Sequence, residues 1–144
     1  KCGGFPYYEA GEKIPRFTYS LLPHSGDFRE GGVINEAYLL NRGFITKELG
    51  KQKGSLGEEY SFAKCLTDGV FIETVKLAED GDGIILRMYE AFKENKRVNV
   101  VFDREISSAY ICDLSENELI AADTAGNNVA FDIKPYEIIT LKIK

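Results

Sequence analysis

A chain of 144 residues with 44% hydrophobic and 28% charged content is long enough to bury a core without disulfide or metal staples. Its formal net charge of −5, with lysines and arginines dispersed, argues against the basic footprint of a nucleic-acid binder and offers nothing to an anionic membrane. No apolar stretch approaches the roughly 20 residues that a membrane span needs, and no signal peptide opens the chain.

The three cysteines, Cys2, Cys65 and Cys112, are far apart and lack metal-ligand spacing. They fit reduced thiols of a cytoplasmic protein better than a disulfide framework. The only methionine is Met88, so the chain does not open on a translational start and is expected to be a piece of a longer polypeptide.

Residues 1–16 carry Gly3, Gly4, Pro6, Gly11 and Pro15, turn formers too dense for a regular element, and read as an irregular lead-in. Phe17 to Leu22 predicts a strand, ended by Pro23, which cannot donate to a ladder. Asp27 and Glu30 then form a capping-box pattern. Beyond it Val33, Ile34, Ala37, Tyr38 and Leu40 recur at helical spacing up to Gly43, a C′ glycine. One short amphipathic helix near 28–42 is predicted, although Gly31 and Gly32 weaken its first turn by about 1 kcal/mol each. Phe44, Ile45 and Leu49 predict a short strand, residues 50–59 a glycine-rich loop, and Tyr60, Phe62 and Cys65 the start of another strand.

Residues 68–92 organise the rest. Two apolar runs flank Glu79-Asp80-Gly81-Asp82-Gly83, whose glycines accept positive φ and whose carboxylates accept local N–H groups, so the segment predicts a β-hairpin. In its second strand Ile84, Leu86 and Met88 point one way and Ile85, Arg87 and Tyr89 the other. In its first, Phe71, Val75 and Leu77 share a side with Glu73 between them. Residues 93–97 predict a polar turn, Val98 to Phe102 and Ala109 to Leu114 strands, and 123–128 a turn. Val129, Phe131 and Ile133 alternate up to Pro135, and Ile139, Leu141 and Ile143 alternate against Thr140, Lys142 and Lys144. Short strands separated by turns, with one helix, predict an all-β class: a single domain over 1–144 built as an antiparallel β-sandwich.

No constellation amounts to a catalytic site. His24, the only histidine, stands beside Ser25 and Asp27, but these are sequence neighbours at a bend, the aspartate has a capping role and no oxyanion hole is in sight. A single histidine also falls short of catalytic zinc. Asp80 and Asp82 lack the glutamate of a calcium loop and the rigid separation of a glycosidase pair; they read as solvated turn residues. Arg87 and Tyr89, with Tyr7, Tyr8 and Tyr19 elsewhere, could form a carbohydrate platform, but tyrosine on a sheet more often packs. The residues therefore give no catalytic and no metal-ligating position, and leave substrate contacts open.

Three blocks carry a family resemblance: ETVKLAEDGDGIILRMYE at 73–90, FTYSLLPHSGDF at 17–28 and KPYEIITL at 134–141. Together they resemble the C-terminal region of glycoside hydrolase family 38 α-mannosidases, in the subgroup of the cytosolic and vacuolar enzymes, here expected from a bacterium. The resemblance covers most of 17–144, with a departure at Phe28, where a tryptophan stands in many members. It implies a longer enzyme that removes terminal α-mannosyl residues with retention, using an aspartate nucleophile and zinc or another divalent metal. Those groups belong to preceding catalytic and helical domains, which would be this chain's partners, in a parent that could be a homo-oligomer acting on α-mannosides. By this reading the chain needs no cofactor of its own and is inert alone; the alternative is an independent module that binds mannose-containing glycans through Arg87 and Tyr89.

Overall fold

A computed structural model describes residues 18–51, 53–55 and 57–144. The expected lead-in at 1–16, with Cys2, Tyr7 and Tyr8, lies outside them. The chain, read above as one domain, divides into two compact units, Lys1–Lys47 and Glu48–Lys144.

In the first unit the capping box forms but the helix starts later than expected. Asp27 Oδ1 accepts the N–H groups of Arg29 at 2.8 Å and Glu30 at 3.2 Å, and Glu30 Oε2 accepts that of Asp27 at 3.1 Å. One turn follows, closed by the Gly31 N–H on the Asp27 carbonyl at 3.0 Å. Gly32 then adopts φ 62°, a left-handed conformation that cannot continue a right-handed helix, and α1 spans only Val33–Arg42. Its end is as the spacing predicts, with the Gly43 N–H on the Leu39 carbonyl at 3.2 Å. The strands expected at 17–22 and around Phe44, Ile45 and Leu49 do not form in the described residues. A strand exists only when a neighbour completes its ladder, and Tyr19, Leu21, Phe44 and Ile45 are exposed instead.

The second unit holds nine strands: β1 Ala63–Cys65, β2 Val70–Leu77, β3 Ile84–Glu90, β4 Lys96–Phe102, β5 Ala109–Cys112, β6 Glu118–Ala121, β7 Asp123–Ala125, β8 Asn128–Ile133 and β9 Ile138–Ile143. They make a four-stranded sheet in the order β1-β4-β8-β7 and a five-stranded sheet in the order β2-β3-β9-β5-β6, all pairs antiparallel. The expected antiparallel sandwich is thus present, with β6 and β7 as strands that the sequence pattern does not announce. Asp123 to Ala125, expected as part of a turn, pairs with β8, and the chain passes from one sheet to the other at Ala122.

Alternation builds the core. Val98, Val100 and Phe102 of β4 and Val129, Phe131 and Ile133 of β8 face Leu86 and Met88 of β3 and Ile139, Leu141 and Ile143 of β9. Fully burying side chains of this size contributes about 1.5–3 kcal/mol each, which makes these two pairs of strands the source of most of the sandwich's stability.

The β2–β3 hairpin forms as predicted, and its tip has a steric reason. The Gly81 N–H bonds the Ala78 carbonyl at 2.9 Å, and Ala78 in turn bonds the Gly83 carbonyl at 3.0 Å. Gly83 sits at φ 117°, and a Cβ there would fall 2.5 Å from the Ile143 carbonyl, so only glycine fits. One expectation fails. The register shifts between Ile72 and Thr74, leaving Glu73 as the extra residue of a β-bulge. Phe71 therefore lies opposite Tyr89, on the outer face, while Val75 and Leu77 pair with Leu86 and Ile84 on the core side. The expected shared side of Phe71, Val75 and Leu77 does not exist because an inserted residue reverses the alternation.

The outer face of the five-stranded sheet is not simply solvated either. Residues 113–117, between β5 and β6, fold back across it: the Leu114 carbonyl accepts Arg87 Nη2 at 3.2 Å, and Glu116 accepts the Glu79 N–H at 2.8 Å. Under this loop Ile85, Thr140 and Lys142 are buried, although the sequence places all three on the side away from the core.

Candidate functional site

The sequence-flagged residues separate into three places, each with a structural task. His24 is exposed and its Nδ1 lies 3.2 Å from the carbonyl of Ser25. Asp27 spends one oxygen on two backbone N–H groups, and the bonds to Glu30 and Arg29 hold its carboxyl below the usual range. A base needs its carboxylate or imidazole aimed at a reacting group; these are aimed at their own turn.

Asp80 and Asp82 do more than sit in water. Asp80 Oδ1 accepts the Asp82 N–H at 2.9 Å, while Oδ2 meets Lys142 Nζ at 2.6 Å. Asp82 meets Lys144 Nζ at 2.6 Å, and Glu118 joins both lysines at 3.6 Å and 2.9 Å. The ammonium of Lys142, 3% exposed, lowers the Asp80 carboxyl, and Asp82 and Glu118 raise Lys144. This cluster is an ion-pair clasp between the hairpin tip and the last strand. The expectation of merely solvated turn aspartates is corrected by it: a lysine that must be buried needs a carboxylate beside it.

Arg87 and Tyr89 share the outer face, as predicted, but not as a sugar grip. The Tyr89 ring stacks on Phe71, with centroids 5.5 Å apart and planes at 27°. Arg87 turns to the Leu114 carbonyl and to Glu116 at 3.8 Å, and its Nε is buried without a hydrogen-bond partner. Tyr19 lies in the other unit, exposed.

Several groups that sequence reasoning passes over prove to matter. Glu90, 1% exposed, accepts the N–H groups of Phe92 at 2.7 Å, Lys93 at 2.8 Å and Tyr136 at 2.9 Å. Burial pushes its carboxyl up, but the backbone donors, Tyr136 first among them, more than offset this and hold it below the ordinary value. Asp103, bound by Arg104 and the Tyr60 hydroxyl, is lowered to about 2. No local pattern marks either one; only the polar residue at a strand end was there to be seen.

A groove of ≈ 670 Å³ draws its lining from both sheets, including Ile111, Ile120, Phe131 and Ile139 with Asp123 and Asp132. Both of these carboxylates are bound by Arg97, at 3.3 Å for Asp132, so the groove presents no carboxylate pair poised for glycosidic chemistry. Among the described residues no three of His, Cys, Asp and Glu come together in a way that could hold a metal. The zinc that the resemblance implies for a mannosidase therefore does not fit these residues. Cys65 and Cys112 are free thiols whose ionisation burial disfavours, which makes poor nucleophiles of both. No helix among the described residues is long and apolar enough to cross a membrane.

Comparison with known proteins agrees with this inert but well-packed picture. The model of the family described as "Glycosyl hydrolases family 38 C-terminal beta sandwich domain" matches residues 69–141. The chain is 31% identical over 134 residues to "Alpha-mannosidase 2C1" of Homo sapiens and 28% identical over 131 residues to "Alpha-mannosidase G" of Dictyostelium discoideum. These alignments cover 87% and 88% of the chain but 12% of each relative. The chain thus spans only a small part of the length of the relatives it matches. Both organisms are eukaryotes, which gives the expected bacterial source no support.

Proposed function

We propose that this chain, which belongs to the family of glycosyl hydrolase family 38 C-terminal β-sandwich domains, serves as the non-catalytic end of a longer α-mannosidase that removes terminal α-mannosyl residues. The observation that carries the reading is the coincidence of the family match, 69–141, with the run from β2 to β9. Within that run the charged groups described above are committed to turns, loops and the clasp. The domain's task is then mechanical: a rigid sandwich against which the preceding catalytic and helical domains pack. Nucleophile, acid/base and zinc belong to those domains. Free Cys65 and Cys112 suit a reducing compartment such as the cytosol.

The test is direct. The pure chain, with and without added zinc, is expected to leave an aryl α-mannoside unhydrolysed, while the longer polypeptide hydrolyses it. Turnover by the chain alone, or none by the longer polypeptide, would overturn the reading.

A further inference from the structure

The outer face of the five-stranded sheet carries an apolar strip. Register sets Phe71, Tyr89 and Ile138 side by side on β2, β3 and β9. Ile138 is 68% exposed, Tyr136 just before it 62%, and Leu114 on the covering loop 70%. Singly exposed apolar residues need no explanation, but a strip on adjacent strands marks a surface that is covered in use.

We propose that this strip is the surface on which the preceding polypeptide of the parent enzyme packs, an assignment that rests on the function proposed above. Two observations select a protein occupant. The relatives devote 12% of their length to the part this chain matches, so the parent has ample polypeptide to cover the strip. The strip's chemistry also fits the core of a protein interface: two stacked aromatic rings beside exposed aliphatic and tyrosyl side chains. A glycan instead needs convergent hydrogen-bonding groups around an aromatic face, and Arg87, the cation beside Tyr89, is turned to the Leu114 carbonyl and Glu116. The strip also lies wholly within the sandwich unit and the segment that the family model matches, apart from nothing but its own strands and loop.

Hydroxyl-radical footprinting read by mass spectrometry tests the assignment on the isolated chain and on the full-length polypeptide that its gene encodes. Oxidation of Phe71, Tyr89, Tyr136 and Ile138 is expected to fall several-fold in the longer polypeptide, with Leu77 and Leu119 as exposed reference positions on edge strands. Ile138→Asp in the longer polypeptide should restore the oxidation of Tyr89. Because Ile138 is exposed, the same variant should leave the isolated chain's urea midpoint unchanged, which separates lost docking from lost folding. Equal oxidation in both forms would overturn the proposal. So would protection that depends on the isolated chain's own concentration, which means a second copy, or protection that appears only with a mannose oligosaccharide. A longer polypeptide that hydrolyses an aryl α-mannoside yet leaves the strip fully oxidised refutes this surface alone; one without that activity refutes the proposed function whatever the strip shows.

Discussion

Glu90 ends β3 with its carboxylate inside the protein, where it receives the backbone of two turns at once, Phe92 and Lys93 after β3 and Tyr136 before β9. A neutral side chain of the same shape cannot serve those donors equally. Glu90→Gln is expected to cost about 2–3 kcal/mol of stability, measured as a lowered urea midpoint at unchanged slope. The pH dependence follows from the direction of its titration. A carboxyl held below its ordinary value of 4.5 contributes stability that is present above that value and lost as pH falls through the lower, folded one. Wild type should therefore lose stability on acidification below about pH 4.5, and Glu90→Gln should flatten that loss; an identical acid profile in both would refute the role.

Lys93 offers the opposite sign. It sits at φ 64° in an exposed turn, where a side chain costs roughly 1 kcal/mol that glycine does not incur. Lys93→Gly keeps the N–H that Glu90 binds, so it should raise the urea midpoint slightly. A fall would mean that the lysine side chain has a role of its own.

At the scale of elements, the bulge in β2 makes a distinctive prediction. Ile72 pairs with Met88 and Thr74 with Arg87, so removing Glu73 would join two stretches that are already in step with β3. Deletion of Glu73 should leave a folded sandwich, whereas deletion of Arg87 from the regular partner strand should not, because one slipped residue turns the core side outward. Circular dichroism and thermal melting of the two variants decide it. The straightened edge should also self-associate more readily, since a bulge is one way an edge strand avoids pairing with another chain.

The clasp belongs to this scale as well. Asp80→Asn would leave buried Lys142 facing only Glu118 at 3.6 Å. The hairpin tip should then loosen from β9, seen as faster amide exchange at Ala78 and Gly81, whose N–H groups close the tip.

At the scale of the whole molecule, the core cluster comes entirely from the second unit, from Val70 to Ile143. α1 contributes no buried residue. A chain trimmed to residues 60–144 should consequently fold with a melting temperature close to that of the full chain, while Leu86→Ala in either form should cost about 2–5 kcal/mol by leaving a cavity between the sheets. Loss of folding on trimming would show that the first unit supports the second.

Much of this architecture was legible because it is written locally. The acidic glycine-rich bend, the apolar alternation of β3, β4, β8 and β9, and the Asp27–Glu30 box each specify a conformation through neighbours in sequence. The same locality misled at 18–22 and at Phe44, Ile45 and Leu49, where apolar residues look like strands but find no ladder in the described residues. It also hid β6, whose four residues are all exposed and whose existence depends on pairing with β5.

By itself the sequence determined the antiparallel class, the central hairpin, the family resemblance and the lack of a catalytic constellation, because side-chain periodicity and turn chemistry act over a few residues. Only the tertiary structure decided that Glu73 bulges, that Ile85 and Lys142 are buried on an outer face, and that Glu90 joins two distant turns. Each of these depends on a segment far away in the chain, and alternation within a strand says which side a residue takes but not what comes to cover it.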